Sequence, residues 1–291
     1  MAARLNKKEV TALINLLDDP DEKIFSTVKG KILDLGEKAI PVLEDAWESS
    51  VSLLLQTRIE NIIHRIQFDK TLEAITEWKQ KDSSDLLEGA LLVARYHYPE
   101  LDESKVQESL KQLYQDVWLE MNDQLTALEK VRVINHLFFD VHRFVGNTEN
   151  YTAPENSYIN KVLESKKGNP LSLAIIYLTL CRKLNLSVYG VNLPQHFVMV
   201  YIDELMFSSE NKEDNIMFYI NPFSKGAIFS RREIDIFLNQ LGIDHQKSFY
   251  LPCSNVEIIK RLIRNLITSY TNLDDHEKIA DLKEILKTLN S

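Results

Sequence analysis

Cysteine and glycine are scarce in this chain of 291 residues, and each scarcity excludes a class of protein. The two cysteines, Cys181 and Cys253, lie far apart, so they form neither a CxxC metal pair nor a disulfide framework. The eight glycines never form a GxGxxG motif or a phosphate-binding loop, so no nucleotide cofactor is indicated. No HExxH or comparable metal spacing occurs either. We therefore expect neither a cofactor nor a bound metal.

Long apolar runs and an excess of positive charge are also lacking. No run approaches the roughly 20 apolar residues that a membrane span needs, and the charges scattered between Met1 and Leu17 are unlike a signal peptide. The formal net charge of −9 disfavours nucleic acids and anionic membranes, which attract positive surfaces. The sequence thus predicts a cytoplasmic protein that binds neither nucleic acid nor membrane, and it leaves the oligomeric state open.

Helical patterns dominate the chain, and its hydrophobic content of 44% is ample for a packed core. Apolar positions at steps of three and four residues predict helices through the N-terminal region, where at least one pair resembles a HEAT-type hairpin. A capping box at Ser254 predicts a terminal helical hairpin, either a packing lid or part of a peptide-binding surface. Strand signals occur only beyond Leu184, in three runs: 187–191, 197–202 and 217–220.

The functional signal lies between Gly168 and Asn221. Asn169 is suited to cap a helix that begins at Pro170, where the fixed φ and missing donor of proline cost least. His196 is predicted to be the first residue of a strand, and Asn221 ends a later strand. A thiol at a helix start, an imidazole and a group that orients the imidazole are the parts of a cysteine-protease-like triad. Here a helix start, a histidine and a carboxamide occur without the thiol.

The sequence NSYINKVLESKKGNPLSLAIIYLTLCRKLNLSVYGVNLPQHFVMVYID, residues 156–203, resembles the SirB-type branch of the transglutaminase-like superfamily. The resemblance covers about 137–223. It places the cysteine of active relatives at Pro170, their histidine at His196 and their orienting acid at Asn221. Asn221 is more often Asp in that branch, and Gln195 is more often Gly. The asparagines and glutamine of these motifs are candidate binding residues: Asn156, Asn169, Asn192 and Gln195.

The resemblance implies an α+β fold that is predominantly helical. We expect a HEAT-like helical region over 1–80 and a tetratricopeptide-like hairpin over 251–291. Between them, 81–250 would form a transglutaminase-like core, papain-like in its helix plus antiparallel sheet, with a helical lead-in.

Three functions remain open from the sequence. The first is a non-catalytic binding or scaffold protein with a protein or peptide partner, since Pro170 is no nucleophile. The alternative is an amidase or hydrolase in which His196, oriented by Asn221, activates water or Ser172. Ser172 is the nearby hydroxyl, but at the third helical position it is better placed for a local hydrogen bond, and Cys181 lies roughly 16 Å down the helix. The third function is peptide binding by the N-terminal helices, which would form a solenoid with the core as a platform.

Overall fold

A computed structural model describes residues 7–81, 85–203 and 215–291, and the chain divides into two compact units between Ala74 and Ile75. Within the described ranges, no helix combines the length and the hydropathy that crossing a membrane requires. The first unit holds α1 (Lys7–Asn15), α2 (Glu22–Leu33), α3 (Ile40–Ser49) and the larger part of α4 (Leu53–Gln80).

A buried cation joins the helices of the first unit. Arg58 on α4 is 7% exposed, and its guanidinium donates hydrogen bonds of 2.7 Å to the carbonyls of Leu17 and Asp19. These carbonyls lie at the end of a short 3-10 helix and would otherwise lack partners. The predicted helices are confirmed here, and their HEAT-like character stays a prediction. The apolar core around them includes Val10, Ile14, Leu17, Ile32, Leu43, Ile59 and Ile62.

The second unit combines helices with a small sheet, which confirms the predominantly helical α+β class. The helices are α5 (Leu86–His97), α6 (Glu103–Glu120), α7 (Ala127–Asn135), α8 (Ile159–Ser165), α9 (Pro170–Lys183), α10 (Arg231–Leu241), α11 (Asn255–Thr271) and α12 (His276–Asn290). A π-helix, His136–Val141, directly follows α7.

The strands of the sheet are β3 (Val188–Val191), β4 (Val198–Ile202), β5 (Ile216–Asn221) and β6 (Ala227–Phe229). The sheet is antiparallel throughout, in the order β3-β4-β5-β6. The three predicted strands are confirmed to within a residue or so at each end, and β6 was not predicted. The expectation that strands occur only beyond Leu184 is wrong, because β1 (Val145–Gly146) pairs in parallel with β2 (Lys167–Gly168).

Helix α9 is the central helix of this unit. Every residue from Pro170 to Cys181 is buried, because the helix contacts α5, α6, α8 and the strands β3 and β4. A helix that is apolar on nearly all sides is stable only when it is surrounded in this way. The terminal hairpin belongs to the same unit, since α11 packs on α5 and on α12. The division into three domains and the tetratricopeptide-like character stay predictions.

Candidate functional site

The start of α9 is held by a closed set of hydrogen bonds. Oδ1 of Asn169 accepts from the backbone N–H groups of Leu171 (3.0 Å) and Ser172 (2.9 Å), as an N-cap should. The Ser172 hydroxyl in turn accepts from the Asn169 N–H at 3.1 Å and donates to its carbonyl at 3.2 Å. Pro170 occupies the first helical position and is buried. Ser172 is fully buried, and the local bonds expected of it are present.

The loop before this helix is organised by Asn156. Its Nδ2 group donates to the carbonyls of Asn150 (2.7 Å) and Tyr151 (3.1 Å), and its Oδ1 accepts from Nδ2 of Asn147 at 2.9 Å. The Asn156 carbonyl also accepts from the N–H of Asn169 at 3.3 Å. With 3% exposure and all these bonds, Asn156 shapes the loop beside the helix start. A ligand-binding role for it stays a prediction.

His196 and Asn221 meet as the resemblance implies. Nε2 of His196 lies 3.2 Å from Oδ1 of Asn221. That oxygen also accepts from the backbone N–H groups of Phe223 (3.0 Å) and Ser224 (3.2 Å), which identifies it as the carboxamide oxygen. Nε2 therefore carries the proton and donates. In the neutral imidazole the lone pair is then on Nδ1, the atom that would act as a base.

The prediction that His196 opens a strand is wrong. The histidine lies in the turn between β3 and β4, two residues before β4 begins at Val198. Its position is fixed by the bond from its own N–H to the Leu193 carbonyl, at 3.1 Å. Because His196 lies in a turn, its ring is not bound to one face of the sheet by the alternation of side chains along a strand. The imidazole is half-buried and lies 6.5 Å, centre to centre, from the ring of Phe237.

The surroundings of His196 favour its neutral form. Burial lowers the pKa of His196 below its ordinary 6.5, the hydrogen bond with Asn221 opposes this, and the positive charge of Arg261 adds to the lowering. A neutral imidazole near pH 7 can accept a proton. It lacks a thiol to take one from, because the position at the helix start is Pro170.

The turn after Asn221 packs against both the central helix and β1. Residues Pro222–Ser224 contact α9, and the ring of Phe223 fills the space where a side chain at Gly146 would lie. A Cβ on Gly146 would lie 2.3 Å from Cε2 of Phe223. Gly146 therefore permits the close approach of the turn, and β1 pairs with β2, which immediately precedes the capped start of α9. These contacts connect the Asn221 turn to the helix start.

Arg261 is a residue of this region that the sequence did not indicate. It projects from α11, and one guanidinium nitrogen donates to the side-chain oxygen of Asn192 and, at 2.7 Å, to the carbonyl of Leu193. Burial lowers the pKa of Arg261. On an amphipathic helix an isolated arginine is normally solvated, so the pattern gave no signal of this contact. The terminal hairpin thus supports the turn that carries His196.

The remaining candidate residues differ in their surroundings. Asn192 is half-buried and holds Arg261, whereas Gln195 is exposed with a φ of +56°. That left-handed conformation favours glycine, which is the residue that the family resemblance leads us to expect at position 195. Cys181 is fully buried in the second half of α9, and burial raises the pKa of its thiol.

Comparison with known proteins identifies relatives among bacteria and animals. A UPF0162 protein of Xylella fastidiosa is 29% identical over 202 residues, which cover 67% of this chain and 68% of that protein. A UPF0162 protein of Vibrio cholerae is 28% identical over 157 residues, 54% of each chain. F-box only protein 21 of Homo sapiens is 28% identical over 136 residues, 46% of this chain and 21% of that protein.

No solved structure matches the chain significantly. The sequence profile described as the transglutaminase-like superfamily matches residues 104–264. This range contains the helix start at Pro170, the His196–Asn221 pair and Arg261. Because the match spans more than half of the 291 residues, the chain belongs to the transglutaminase-like superfamily.

Proposed function

We propose that this protein is a non-catalytic member of its superfamily that acts by binding another protein. The observation that supports the proposal is the chemistry at the start of α9. Thiol catalysis needs a nucleophile there, and the chain has a buried Pro170. Ser172 offers no substitute, since its hydroxyl is fully buried and both accepts from and donates to the backbone of Asn169.

A similarity to an F-box protein supports the binding role. Part of the chain is similar to F-box only protein 21, whose matched region is about a fifth of that protein. We assign the chain to the SirB-type branch on its motifs at Asn156, Pro170 and His196. A cytoplasmic location fits the two unpaired cysteines, Cys181 and Cys253.

One observation favours the alternative, an amidase or hydrolase. The bond between Nε2 of His196 and Asn221 leaves the lone pair of a neutral imidazole on Nδ1, and burial favours that neutral form. An imidazole so oriented can activate water as a general base. The mechanism would need no thiol, so the loss of the cysteine at Pro170 does not count against it.

An amide-hydrolysis screen separates the two functions. The full-length protein is incubated with a panel of amide and ester substrates, beside His196→Ala and a matched His276→Ala, which removes an exposed histidine at the start of α12. A non-catalytic protein gives the same background rate in all three. Turnover that His196→Ala abolishes and His276→Ala preserves would overturn the non-catalytic proposal in favour of the hydrolase.

A second arm of the experiment restores the missing group. Pro170→Cys places a thiol at the capped start of α9, where the helix dipole favours the thiolate. If the remaining groups keep their triad geometry, alkylation by iodoacetamide at this position becomes dependent on His196. The double variant Pro170→Cys/His196→Ala then reacts at least tenfold more slowly. Equal rates in both would show that the imidazole does not face the helix start.

A further inference from the structure

A groove of about 1260 Å³ lies along the outer edge of the sheet, within the second unit. It is formed by α5, α6, α9, β3 and the start of α11, and its apolar wall includes Leu86, Leu91, Leu178 and Ile258. Sites for small molecules typically have volumes of roughly 300–1,000 Å³, so this groove has room for a larger occupant. Pro170, His196 and Asn221 are not among its lining residues.

Strand β3 is the open edge of the sheet and lines this groove. Val188 pairs with Tyr201, and the Ser187 carbonyl accepts from the N–H of Ile202 at 2.9 Å. In an antiparallel ladder the residues bonded to the neighbouring strand alternate with residues whose polar groups point away. Val188 and Gly190 therefore direct their backbone N–H and C=O groups away from β4, on either side of the exposed Tyr189.

Two of these four outward groups already have partners. The Gly190 carbonyl accepts from the N–H of Cys253 at 2.8 Å, and the Val188 N–H donates to the carbonyl of Leu186 at 2.8 Å. The Val188 carbonyl and the Gly190 N–H have no hydrogen bond within the part of the chain that the structure describes. An edge strand binds an added strand through a pair of groups with this spacing, because the carbonyl accepts one hydrogen bond and the N–H donates another.

The charges around the groove are unevenly paired. The acids Glu103 and Glu88 form ion pairs with Arg95 and Lys81, and Asp85 lies 3.6 Å from Arg182. Lys183, exposed in the last turn of α9 just before β3, has no ion pair within 7–81, 85–203 and 215–291. An occupant with an acidic side chain at this end of the groove would supply the missing partner.

We propose that this groove binds an extended segment of another protein, which adds to the edge of β3 and directs an acidic side chain at Lys183. The backbone of the segment bonds to the Val188 carbonyl and the Gly190 N–H, while its apolar side chains contact the leucines of α5 and α9. The inference deepens the protein-binding role proposed above, but it uses a surface separate from His196. A hydrolytic activity of His196 would overturn the non-catalytic proposal and leave this one standing.

The test uses a random heptapeptide library displayed on phage and selected on the full-length protein. The tightest peptide is synthesised with a fluorophore, and its Kd is measured by fluorescence polarisation for the wild type, Lys183→Glu and the matched Lys283→Glu. Lys283 is likewise exposed but lies on α12. We expect an acidic peptide whose Kd rises at least tenfold with Lys183→Glu and stays within twofold with Lys283→Glu.

Amide hydrogen exchange distinguishes strand addition from attachment elsewhere. Saturating peptide is expected to slow exchange of the Gly190 amide at least tenfold, and a peptide N-methylated at alternate residues is expected to lose both binding and protection. Selection of no peptide, or of peptides that leave Gly190 exchanging at its free rate, would overturn the proposal. An equal effect of the two lysine variants would overturn the assignment of the acidic contact to Lys183.

Discussion

Replacing Asn221 with aspartate tests how the imidazole of His196 is held. Oδ1 of Asn221 accepts from two backbone N–H groups, those of Phe223 and Ser224, and from Nε2 of His196. Aspartate has the same shape and accepts the same bonds. Asn221→Asp therefore preserves the turn and adds one negative charge 3.2 Å from the imidazole.

The magnitude follows from that distance. Two unit charges 3.2 Å apart attract by about 5 kcal/mol at an effective dielectric constant of about 20. Burial of the new carboxylate and the nearby charge of Arg261 offset part of this attraction. Opposite charges in such close contact typically change a pKa by about 1–3 units. We therefore expect Asn221→Asp to raise the pKa of His196 by about that amount from its lowered wild-type value.

The assay is a proton NMR titration of the imidazole C–H signals, assigned with His196→Gln. Asn272→Asp is the control, because it adds the same charge at an exposed position at the end of α11 and is expected to leave the pKa of His196 within about 0.2 units. A pKa of His196 that is equal in Asn221→Asp and wild type would refute the bond between the two side chains, and with it the triad-like geometry.

The same substitution changes the pH dependence of stability. In the wild type the folded pKa of His196 lies below its ordinary value of 6.5, which applies to the unfolded chain. The unfolded chain therefore takes up the proton first, and stability is lost as the pH falls from the unfolded pKa to the folded pKa. When Asn221→Asp brings the folded pKa above the unfolded value, the sign reverses. The contribution is then complete below 6.5 and is lost as the pH rises through the new folded pKa.

Four further predictions concern stability. Gly190→Ala is expected to lower the free energy of unfolding by about 1–3 kcal/mol in urea titrations, because its Cβ would lie 2.6 Å from Cζ of Phe197. Gly30→Ala, on the open side of α2, should instead raise the free energy of unfolding by about 0.5–1 kcal/mol, because no atom lies within 4 Å of its Cβ. A lower free energy of unfolding in Gly30→Ala would contradict the argument from contacts. Gln195→Gly should leave the Tm unchanged or higher, since it removes a left-handed strain of about 1–2 kcal/mol at a φ of +56°. Between pH 7.5 and 5.0 stability should fall, since burial lowers the pKa of His97, and His97→Gln should flatten that slope.

The sequence predicted the elements that depend on neighbours along the chain. The cap at Asn169 and the first helical position of Pro170 follow from rules that involve three or four consecutive residues. The strands at 187–191, 197–202 and 217–220 follow from short β-branched and aromatic runs. The contact between His196 and Asn221 was implied by the family resemblance alone, since 25 residues separate the two positions.

Features that depend on tertiary packing were not predictable in this way. The contact of Arg261 with Asn192 joins side chains 69 residues apart, and nothing in the pattern of α11 distinguishes Arg261 from a solvated arginine. His196 was misplaced because the turn between β3 and β4 extends through Phe197, the first residue of the apolar run, so that β4 begins only at Val198. The groove beside β3 arises from α5, α9 and α11 together.

The hydrogen bonds of the triad-like positions explain why their retention does not require catalysis. Oδ1 of Asn221 closes the turn through Phe223 and Ser224, and this turn packs against α9. Asn221→Ala would remove these bonds and cost about 1–2 kcal/mol of stability whether or not His196 is a base. Loss of an activity in Asn221→Ala would therefore not distinguish a catalytic from a structural carboxamide. Asn221→Asp and His196→Ala do distinguish them, because the first keeps the turn and changes only the charge, and the second removes only the imidazole.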